Sequence, residues 1–516
     1  MRLPRRRLFA ASSATALLPK RVYAQRGDRP RLEGGVQAGD PTSNQVTLWA
    51  RSDRAARLVV EWSTTESFAE ARQLEGPLAG PDADFTAQLR LVGLPAGQTI
   101  FYRLRFVEPA SGGFSSEPAS GRLTLPASAP RDVSFVWSAD TVGQGFGINP
   151  DLGGMRIYET MRSLRPDFFV HCGDTIYADN PLSAEVRLPD GTIWRNLVTE
   201  AKSKVAETLD EFRGNFRYNL LVANLRRFNA DVPQIALWDD HEVVDNWHWN
   251  LRLDSDPRYR EKDAGVLARR AARAFSESVP MASAAPTPDR TLAFNRRFAF
   301  GPDFDLFRLD MRSHRAANGP NLEPTAGPAT AFLGRAQLDW LKAALKTSRA
   351  TWKVIAASMP LGLIVWDDWR RRQGSEAIAN GDNGPPLGRE HEIAELLSFL
   401  ARESVRNVVW ICGDVHYPAT HLYDPTGATF GDFQPFHEFV SGPLNAGGFG
   451  PNALDRTFGP RILFQKTPPA GRFNTAPSEG SAHFGHIRIV AKTRRLIQTH
   501  RDAAGTVLHT TELDPA

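Results

Sequence analysis

Short apolar runs alternate with polar residues over residues 31–125 and are separated by Gly, Pro, Asp and Ser. This spacing predicts β-strands, because successive side chains of a strand point to opposite faces of its sheet. The clearest predicted strands are Gln45–Ala50, Leu58–Trp62 and Phe101–Phe106. We therefore expect an all-β N-terminal domain, an immunoglobulin-like sandwich, followed by a linker over residues 126–130.

After the linker the pattern changes, and strand-like apolar runs alternate with amphipathic stretches. Helices are predicted at Leu209–Phe228 and Leu333–Leu345, and a strand at Trp352–Ala357. Two more strand-like segments lie between His486 and Leu513. Alternating strands and helices are typical of layered sheet and helix packing, so residues 131–516 are expected to form a second domain.

The bulk composition is that of an ordinary soluble protein, with 41% hydrophobic and 23% charged residues in a chain of 516. A net charge of +4 and the lack of an obvious basic and aromatic cluster argue against specific nucleic-acid binding. The two cysteines, Cys172 and Cys412, exclude a disulfide-rich module. Each precedes a Gly-Asp pair. Buried thiols are the simplest interpretation, and a redox pair or soft metal ligands are the alternative.

The first 24 residues have the layout of a signal peptide. Three arginines, residues 5–7, precede an apolar stretch that runs to Leu18, and Val22–Ala24 resembles a cleavage site. Arg6–Phe9 resembles the twin-arginine export signature, which predicts transport by the twin-arginine machinery into the periplasm or out of the cell. A disordered basic tail is the alternative. No other apolar stretch of the sequence is long enough to span a bilayer.

Four acidic motifs each follow an apolar, strand-like run. They are Asp140, Gly173–Asp179 (GDTIYAD), Trp238–Glu242 (WDDHE) and Gly413–Tyr417 (GDVHY). Loops at strand ends are where proteins of mixed sheet and helix usually place ligands. Concentrated carboxylates repel one another unless cations neutralise them, so the motifs predict a metal site.

The order of these motifs resembles that of the calcineurin-like metallophosphoesterases. Those proteins use an Asp, then Gly-Asp, then Gly-Asn-His, and later Gly-His-x-His. Here Asp240 stands in place of the Asn, Asp414 replaces a His, and Tyr177 follows Asp174 at the spacing of the purple acid phosphatases. With Leu309–Arg312, the chain looks like the PhoD-type alkaline phosphatases. The resemblance implies an α+β, αββα sandwich of two mixed β-sheets flanked by helices.

Two cations about 3.5–4 Å apart can clamp a phosphoryl group and generate the metal-bound hydroxide that attacks it. Asp174 is the candidate bridging ligand. We assign Asp140, Asp174, Tyr177 and His416 to the first metal. Free tyrosine has a pKa near 10, so a phenolate ligand at pH 7 requires a strong Lewis acid, most plausibly iron(III). Tyr177 as a packed aromatic residue is the alternative.

The predicted ligands of the second metal are Asp174, Asp240 and Asp414, with Asp239 as a substitute for Asp240. All of them offer hard oxygen atoms, which disfavours zinc and favours Ca²⁺, Mg²⁺ or Mn²⁺. The family resemblance points to calcium. Asp239 could instead contact the ligands from behind.

Two further residues are predicted to be catalytic. His241 follows a ligand position, as does the histidine that contacts phosphate and protonates the leaving oxygen in the wider family. It could instead be a structural histidine bonded to Glu242 or to the backbone. Arg312 could grip phosphate through two hydrogen bonds, or pair with Asp310 or another carboxylate behind the site.

These inferences predict an exported, metal-dependent phosphatase that hydrolyses phosphomonoesters and phosphodiesters and releases phosphate. One alternative is a specialised phosphodiesterase of the same fold, directed at phospholipid headgroups in the manner of a phospholipase D or at teichoic-acid-like polymers. The other is a catalytically silent protein that binds metal and phosphate.

Overall fold

The computed structural model describes residues 29–109, 113–282 and 294–516, so the predicted signal peptide, residues 1–24, lies outside the described residues. The N-terminal part contains seven strands. They are β1 (Leu32–Thr42), β2 (Gln45–Ser52), β3 (Ala56–Ser63), β4 (Arg72–Ala79), β5 (Thr86–Val92), β6 (Thr99–Val107) and β7 (Ala119–Thr124).

The rest of the described chain alternates strands with helices. The first part holds β8 (Val133–Ser138), α1 (Ile157–Ser163), β9 (Phe168–Cys172), β10 (Glu185–Arg187), β11 (Ile193–Arg195), α2 (Leu209–Asn219), α3 (Ala223–Asp231), β12 (Gln234–Leu237), α4 (Ala264–Ser278), β13 (Arg296–Ala299) and β14 (Phe304–Arg308). The second part holds α5 (Arg335–Thr347), β15 (Trp352–Ala356), β16 (Trp366–Asp368), β17 (Gln373–Ser375), α6 (Glu390–Arg402), β18 (Val408–Cys412), β19 (Ala419–Tyr423), β20 (Phe436–Val440), β21 (Pro460–Gln465), β22 (His483–Ile489), β23 (Leu496–Asp502) and β24 (Val507–Leu513).

Two large mixed sheets form the centre of the molecule. The nine-stranded sheet has the order β24-β23-β22-β8-β9-β12-β1-β2-β5, and the seven-stranded sheet has the order β13-β14-β15-β18-β20-β19-β21. Strands β8, β9 and β12 run parallel in the first sheet, and β14, β15, β18 and β20 run parallel in the second. Parallel strands end at the same edge of their sheet, so the predicted motifs after β8, β9, β12 and β18 emerge from these edges.

The two sheets pack face to face through apolar side chains. Phe135 and Phe168 of the nine-stranded sheet meet Phe304 of the seven-stranded sheet, with the rings of Phe135 and Phe304 5.1 Å apart. Helices α1 and α3 cover the outer face of the first sheet, and α5 and α6 cover that of the second. The expected fold, two mixed sheets flanked by helices, is confirmed at this level. None of the helices in the described residues is long and apolar enough to cross a membrane.

The N-terminal strands form two sheets around one apolar core. Strands β4-β3-β6-β7 make a four-stranded sheet, whereas β1, β2 and β5 continue the nine-stranded sheet through a parallel contact of Gly39 with Gln234. Asp40 reinforces this junction, because its carboxylate accepts hydrogen bonds from Arg296 and Arg308 at 3.0 and 3.1 Å. The N-terminal region is therefore built onto the sheet that carries Asp140 and Asp174.

The helix predicted at Leu209–Phe228 is wrong in one respect, since the structure contains two helices there. Helix α2 ends at Asn219, Val222 has extended backbone, and α3 begins at Ala223. The break lets α2 pack on α4 and α3 pack on α1, directions that one straight helix does not reach. The C-terminal region likewise has three strands, β22 to β24, where two were expected.

Candidate metal centre

The predicted site residues come together in one cluster at the edge shared by the two sheets. Carboxylate oxygens and ring nitrogens lie within 4.8 Å of one another in three overlapping groups. The groups are Asp140, Asp174 and His416; Asp174, Asp240 and His241; and Asp239, Asp240 and Asp414. Asp174 belongs to the first two groups and Asp240 to the last two. Below, "first half" means Asp140, Tyr177 and His416, and "second half" means Asp239, Asp240 and Asp414.

Backbone conformation aims several of these side chains. Asp140, Asp174, Asp414 and His416 have φ values of 65°, 54°, 72° and 62°. This left-handed region is unfavourable for residues other than glycine, and such residues concentrate at functional sites. Asp140, Asp174 and Asp414 lie two residues beyond the ends of β8, β9 and β18, and His416 lies four residues beyond β18. The left-handed conformation turns these residues out of the strand direction and into the cluster.

In the first half, the hydrogen bonds of His416 fix which nitrogen faces the cluster. Its Nδ1 lies 2.5 Å from the carbonyl oxygen of Gly447, and a carbonyl only accepts, so Nδ1 carries the proton. The unprotonated Nε2 then accepts from the hydroxyl of Tyr177 at 2.9 Å and lies 3.8 Å from Asp140. Burial lowers the pKa of His416 to about 4, which keeps the imidazole neutral, as a metal ligand must be.

Asp140 is fully buried, and neither of its carboxylate oxygens has a hydrogen-bond partner in the described protein. Without a cation, burial and then repulsion by Asp239 raise the pKa of Asp140 well above its usual value. Burial and then Asp174 likewise raise the pKa of Tyr177. Asp140 forms no ion pair with a lysine or arginine of the described residues, and His241 offsets only part of the rise in its pKa. A bound metal ion fits here, because it favours the ionised forms of both the carboxylate and the phenol.

In the second half, an arginine already balances part of the negative charge. Arg312 is fully buried; its Nε donates to Asp239, its Nη1 donates to Glu376, and its Nη2 lies 3.5 Å from Asp240. Burial would raise the pKa of Asp240, but Arg312 and then His241 outweigh it and lower that pKa. Asp414 is half-buried, and burial followed by Asp239 raises its pKa. The oxygen-only donor set is that of a hard cation.

Glu376 and Arg315 extend this arrangement away from the cluster. Arg315 donates to Glu376 Oε1 at 2.6 Å, so one carboxylate joins Arg312 and Arg315. The carboxylate of the predicted partner Asp310 accepts a hydrogen bond from the backbone N–H of Arg312 at 2.9 Å and not from its guanidinium. The structure thus pairs the Arg312 guanidinium with Asp239 and Asp240 of the cluster and with Glu376 behind it, and not with the carboxylate of Asp310. Sequence reasoning missed Glu376, which has no acidic motif around it.

Glu242 binds the loops that carry the ligands. Its carboxylate accepts from the backbone N–H of Asp174, Thr175 and Asp239 at 3.2, 2.5 and 2.7 Å, and from the Thr175 hydroxyl at 2.6 Å. Glu242 thus couples the loop after β9 to the loop after β12. Its position directly after Asp239-Asp240-His241 was the only sequence signal for this role.

His241 is oriented by Asp179. Its Nδ1 lies 2.9 and 3.0 Å from the two oxygens of the Asp179 carboxylate, and its ring stacks on Tyr177 with the ring centres 4.2 Å apart. Burial alone would lower the pKa of His241, but Asp179 and then Asp240 outweigh it and raise the pKa. The other ring nitrogen, Nε2, lies 3.8 Å from Asp245 and, within the described part of the chain, makes no hydrogen bond to the backbone or to Glu242. This arrangement suits a group that donates a proton.

Comparison with known proteins identifies the family. A family model described as PhoD-like phosphatase matches residues 135–499, and a model of the N-terminal domain of PhoD-like phosphatases matches residues 15–126. The chain belongs to the PhoD-like phosphatase family. Alkaline phosphatase D of Bacillus subtilis (strain 168) is 25% identical to it over 465 residues, which cover 85% of this chain and 73% of that protein. Like this family, the chain is a metal-dependent phosphoric ester hydrolase.

Solved structures agree on the fold. A structure of PhoD superimposes with a TM-score of 0.68 at 19% identity, covering 93% of this chain and 88% of that one. Purple acid phosphatase PPD1 from yellow lupin (Lupinus luteus) gives a TM-score of 0.53 at 14% identity, covering 94% and 74%. The PhoD-like family implies bound metal ions, and the acidic groups of the cluster fit them.

Proposed function

We propose that this PhoD-like phosphatase is an exported enzyme that hydrolyses both phosphomonoesters and phosphodiesters. The proposal includes a β-sandwich domain at residues 31–125 and a catalytic domain at residues 131–516. The carrying observation is Asp140, a fully buried carboxylate whose two oxygens have no hydrogen-bond partner among the described residues. It lies 3.8 Å from the imidazole of His416, which in turn accepts from the phenol of Tyr177. Such a buried carboxylate calls for a cation, and a pair of cations can clamp a phosphoryl group and activate the water that attacks it.

The donor sets support different ions in the two halves. Asp140, Asp174, Tyr177 and His416 would hold iron(III), because a phenol raised in pKa by its surroundings becomes a ligand only beside a strong Lewis acid. Asp174, Asp240 and Asp414 would hold Ca²⁺, with Asp239 as a substitute for Asp240, and Mn²⁺ or Mg²⁺ could replace the calcium. When bound, the two ions would polarise the phosphoryl group and supply the hydroxide nucleophile.

The protein's own contribution is orientation and proton transfer. Asp179 holds the His241 ring so that the imidazole can protonate the departing alcohol oxygen. Arg312 positions Asp239 and Asp240 and is committed to Glu376, so it acts here as a positioning residue. Because the Arg312 guanidinium is already paired with carboxylates, it does not require the second negative charge that a phosphomonoester carries and a phosphodiester lacks. The site is therefore suited to diesters as well.

The experiment that tests the proposal uses protein exported by its own host. We expect a visible phenolate-to-iron(III) band and a metal content of both iron and calcium, with turnover of a chromogenic monoester and diester in added Ca²⁺. The Tyr177→Phe variant should lose the band. A colourless active enzyme would overturn the iron assignment alone. Turnover of diesters only would favour the specialised phosphodiesterase, and metal without turnover would favour a binding protein.

Export is tested on the same preparation. Mass spectrometry of the exported protein should show an N-terminus close to Gln25, and replacement of Arg6 and Arg7 by lysine should leave the protein inside the cell. Export that is unaffected by this replacement would overturn the twin-arginine route.

A further inference from the structure

Four aromatic rings form a continuous row from the predicted metal ligand His416 to the protein surface. The ring centres of His416 and Phe449 are 5.0 Å apart, those of Phe449 and Phe473 are 4.6 Å apart, and those of Phe473 and Trp369 are 5.2 Å apart. The last two rings are stacked, with an angle of 23° between their planes. Phe473 and Trp369 remain 61% and 58% exposed. Exposure of two large, adjoining aromatic rings indicates a binding surface.

Trp369 stands at the tip of the hairpin of β16 and β17, where three arginines follow it. The guanidinium of Arg370 lies 5.3 Å from the centre of the Trp369 ring. Arg371 pairs with Asp368 at 3.2 Å, whereas Arg370 and Arg372 have no ion pair with any carboxylate of the described residues. The hairpin tip therefore offers an aromatic face and unneutralised positive charge side by side.

Hydrogen bonds connect this hairpin to the second half of the metal cluster. The Asn246 N–H donates to Asp240 Oδ2 at 2.7 Å, and the Asn246 side chain donates to the carbonyl oxygen of Asp367 at 3.2 Å. Asn318 donates to the Asp367 carboxylate at 2.8 Å. Trp369 is thus held on the side of Asp240, while Phe473 reaches it through Phe449 from the side of His416. The stacked pair is therefore connected to both halves of the cluster.

We propose that Trp369 and Phe473, with Arg370 and Arg372, form a subsite for nucleotides. The base would stack on the aromatic pair while the phosphorus lies at the cluster, and a guanidinium would neutralise a further phosphate. Base stacking on aromatic side chains with nearby arginine is a general mode of nucleotide binding. A flat ring fits the row better than a lipid chain does, because the rings lead inward to the site. This inference rests on the proposed phosphoesterase function of the same cluster.

The test compares two monoesters of the same primary alcohol, adenosine 5′-monophosphate and ribose 5-phosphate, which differ only in the base. For the full exported enzyme, kcat/KM should be about 10-fold higher for the nucleotide. Trp369→Ala should reduce this ratio to near 1, while Trp369→Phe should keep most of it. Phe114→Ala, which removes an exposed aromatic ring from the loop between β6 and β7, is the matched control and should leave the ratio unchanged.

A ratio near 1 in the unmodified enzyme, or one unchanged by Trp369→Ala, would overturn the subsite while turnover of ribose 5-phosphate still upholds the phosphoesterase. If neither ester is hydrolysed, the proposed function fails. In that case the affinities of the two compounds are measured by calorimetry, and the subsite predicts the same preference for the nucleotide over ribose 5-phosphate. A lipid role is distinguished by sedimentation with phosphatidylglycerol vesicles. Vesicle binding that depends on Trp369, combined with a base ratio near 1, would also overturn the proposal.

Discussion

The two halves of the metal cluster balance their negative charge in different ways. In the second half, the buried guanidinium of Arg312 lies against Asp239 and Asp240. In the first half, the Asp140 carboxylate has no hydrogen-bond partner in the described protein, and burial and Asp239 raise its pKa although His241 offsets part of the shift. The comparison teaches that the protein itself preorganises the second half, whereas the first half depends on a cation to become electrostatically balanced.

The strongest test of this division removes the carboxylate that both halves share. In the structure, the backbone N–H of His241 donates to Asp174 Oδ1 at 3.2 Å. Asp174→Asn keeps one oxygen that can accept this hydrogen bond but removes the bridging negative charge. We expect kcat/KM to fall by roughly 10⁴-fold, because two cations no longer act on one phosphoryl group. Metal analysis of the purified variant should show loss of both ions. Retention of one ion at full occupancy would show that the halves bind independently and that Asp174 is no bridge.

The second test breaks the protein's own charge balance. Arg312→Met should leave Asp239 buried without its guanidinium and leave Glu376 paired with Arg315 alone, which costs about 3–5 kcal/mol in the free energy of unfolding. Chemical denaturation of metal-loaded protein measures the loss. The control is Arg335→Met, which removes an exposed arginine from Asp339 and Glu395 and should cost less than about 1 kcal/mol. Equal losses for the two variants would contradict a special role for Arg312.

The sequence was sufficient to predict which residues meet, because each lies at the end of an apolar strand and parallel strands end together. Asp140, Asp174 and His416 are examples. It was insufficient for Arg312, whose partner Glu376 lies 64 residues away in a loop without any acidic motif. Long-range side-chain pairing leaves no periodic signal in a sequence. The same reason hid the contact of Trp369 with Phe473.

The sequence also did not predict that the N-terminal strands continue the nine-stranded sheet. The sequence pattern separates an all-β region from a mixed region at residues 126–130, yet β1 joins the sheet of β12 through Gly39. A glycine is required there, because a Cβ at residue 39 would lie 2.1 Å from the carbonyl oxygen of Pro280. Composition marks where a pattern changes, but it does not reveal which strand edges meet in space.

A substitution of His241 tests whether the protein donates a proton to the leaving group independently of the metal ions in the two halves. His241→Asn should lower kcat/KM by about 10²-fold for an alkyl phosphate, whose leaving alkoxide needs a proton. The loss should be much smaller for 4-nitrophenyl phosphate, whose leaving group is stable as an anion. Asp179→Asn, which weakens the orientation of the ring, should show the same ranking with smaller losses. Equal losses on both substrates would instead assign His241 to phosphate binding.

The smallest expected effect concerns the stability of the metal-free protein, in which the contribution of Asp140 in the first half can be measured by itself. In that state the raised pKa of Asp140 means that the folded protein holds the proton more tightly than the unfolded chain, whose pKa is 3.8. This contribution to stability is fully present below pH 3.8 and is lost as the pH rises through the raised folded pKa. Burial contributes most to the shift, so the same carboxylate should destabilise the metal-free fold near neutral pH.

Asp140→Asn should therefore stabilise the metal-free protein at pH 7, by about 1–2 kcal/mol, and flatten its stability profile by up to about 1.4 kcal/mol per pH unit. Denaturant titrations in chelator from pH 4 to 8 provide the measurement. With metals restored, the order should reverse, because the unmodified carboxylate then has its cation. A variant that is less stable in both states would mean that Asp140 is balanced by the protein, and the contrast between the two halves would disappear.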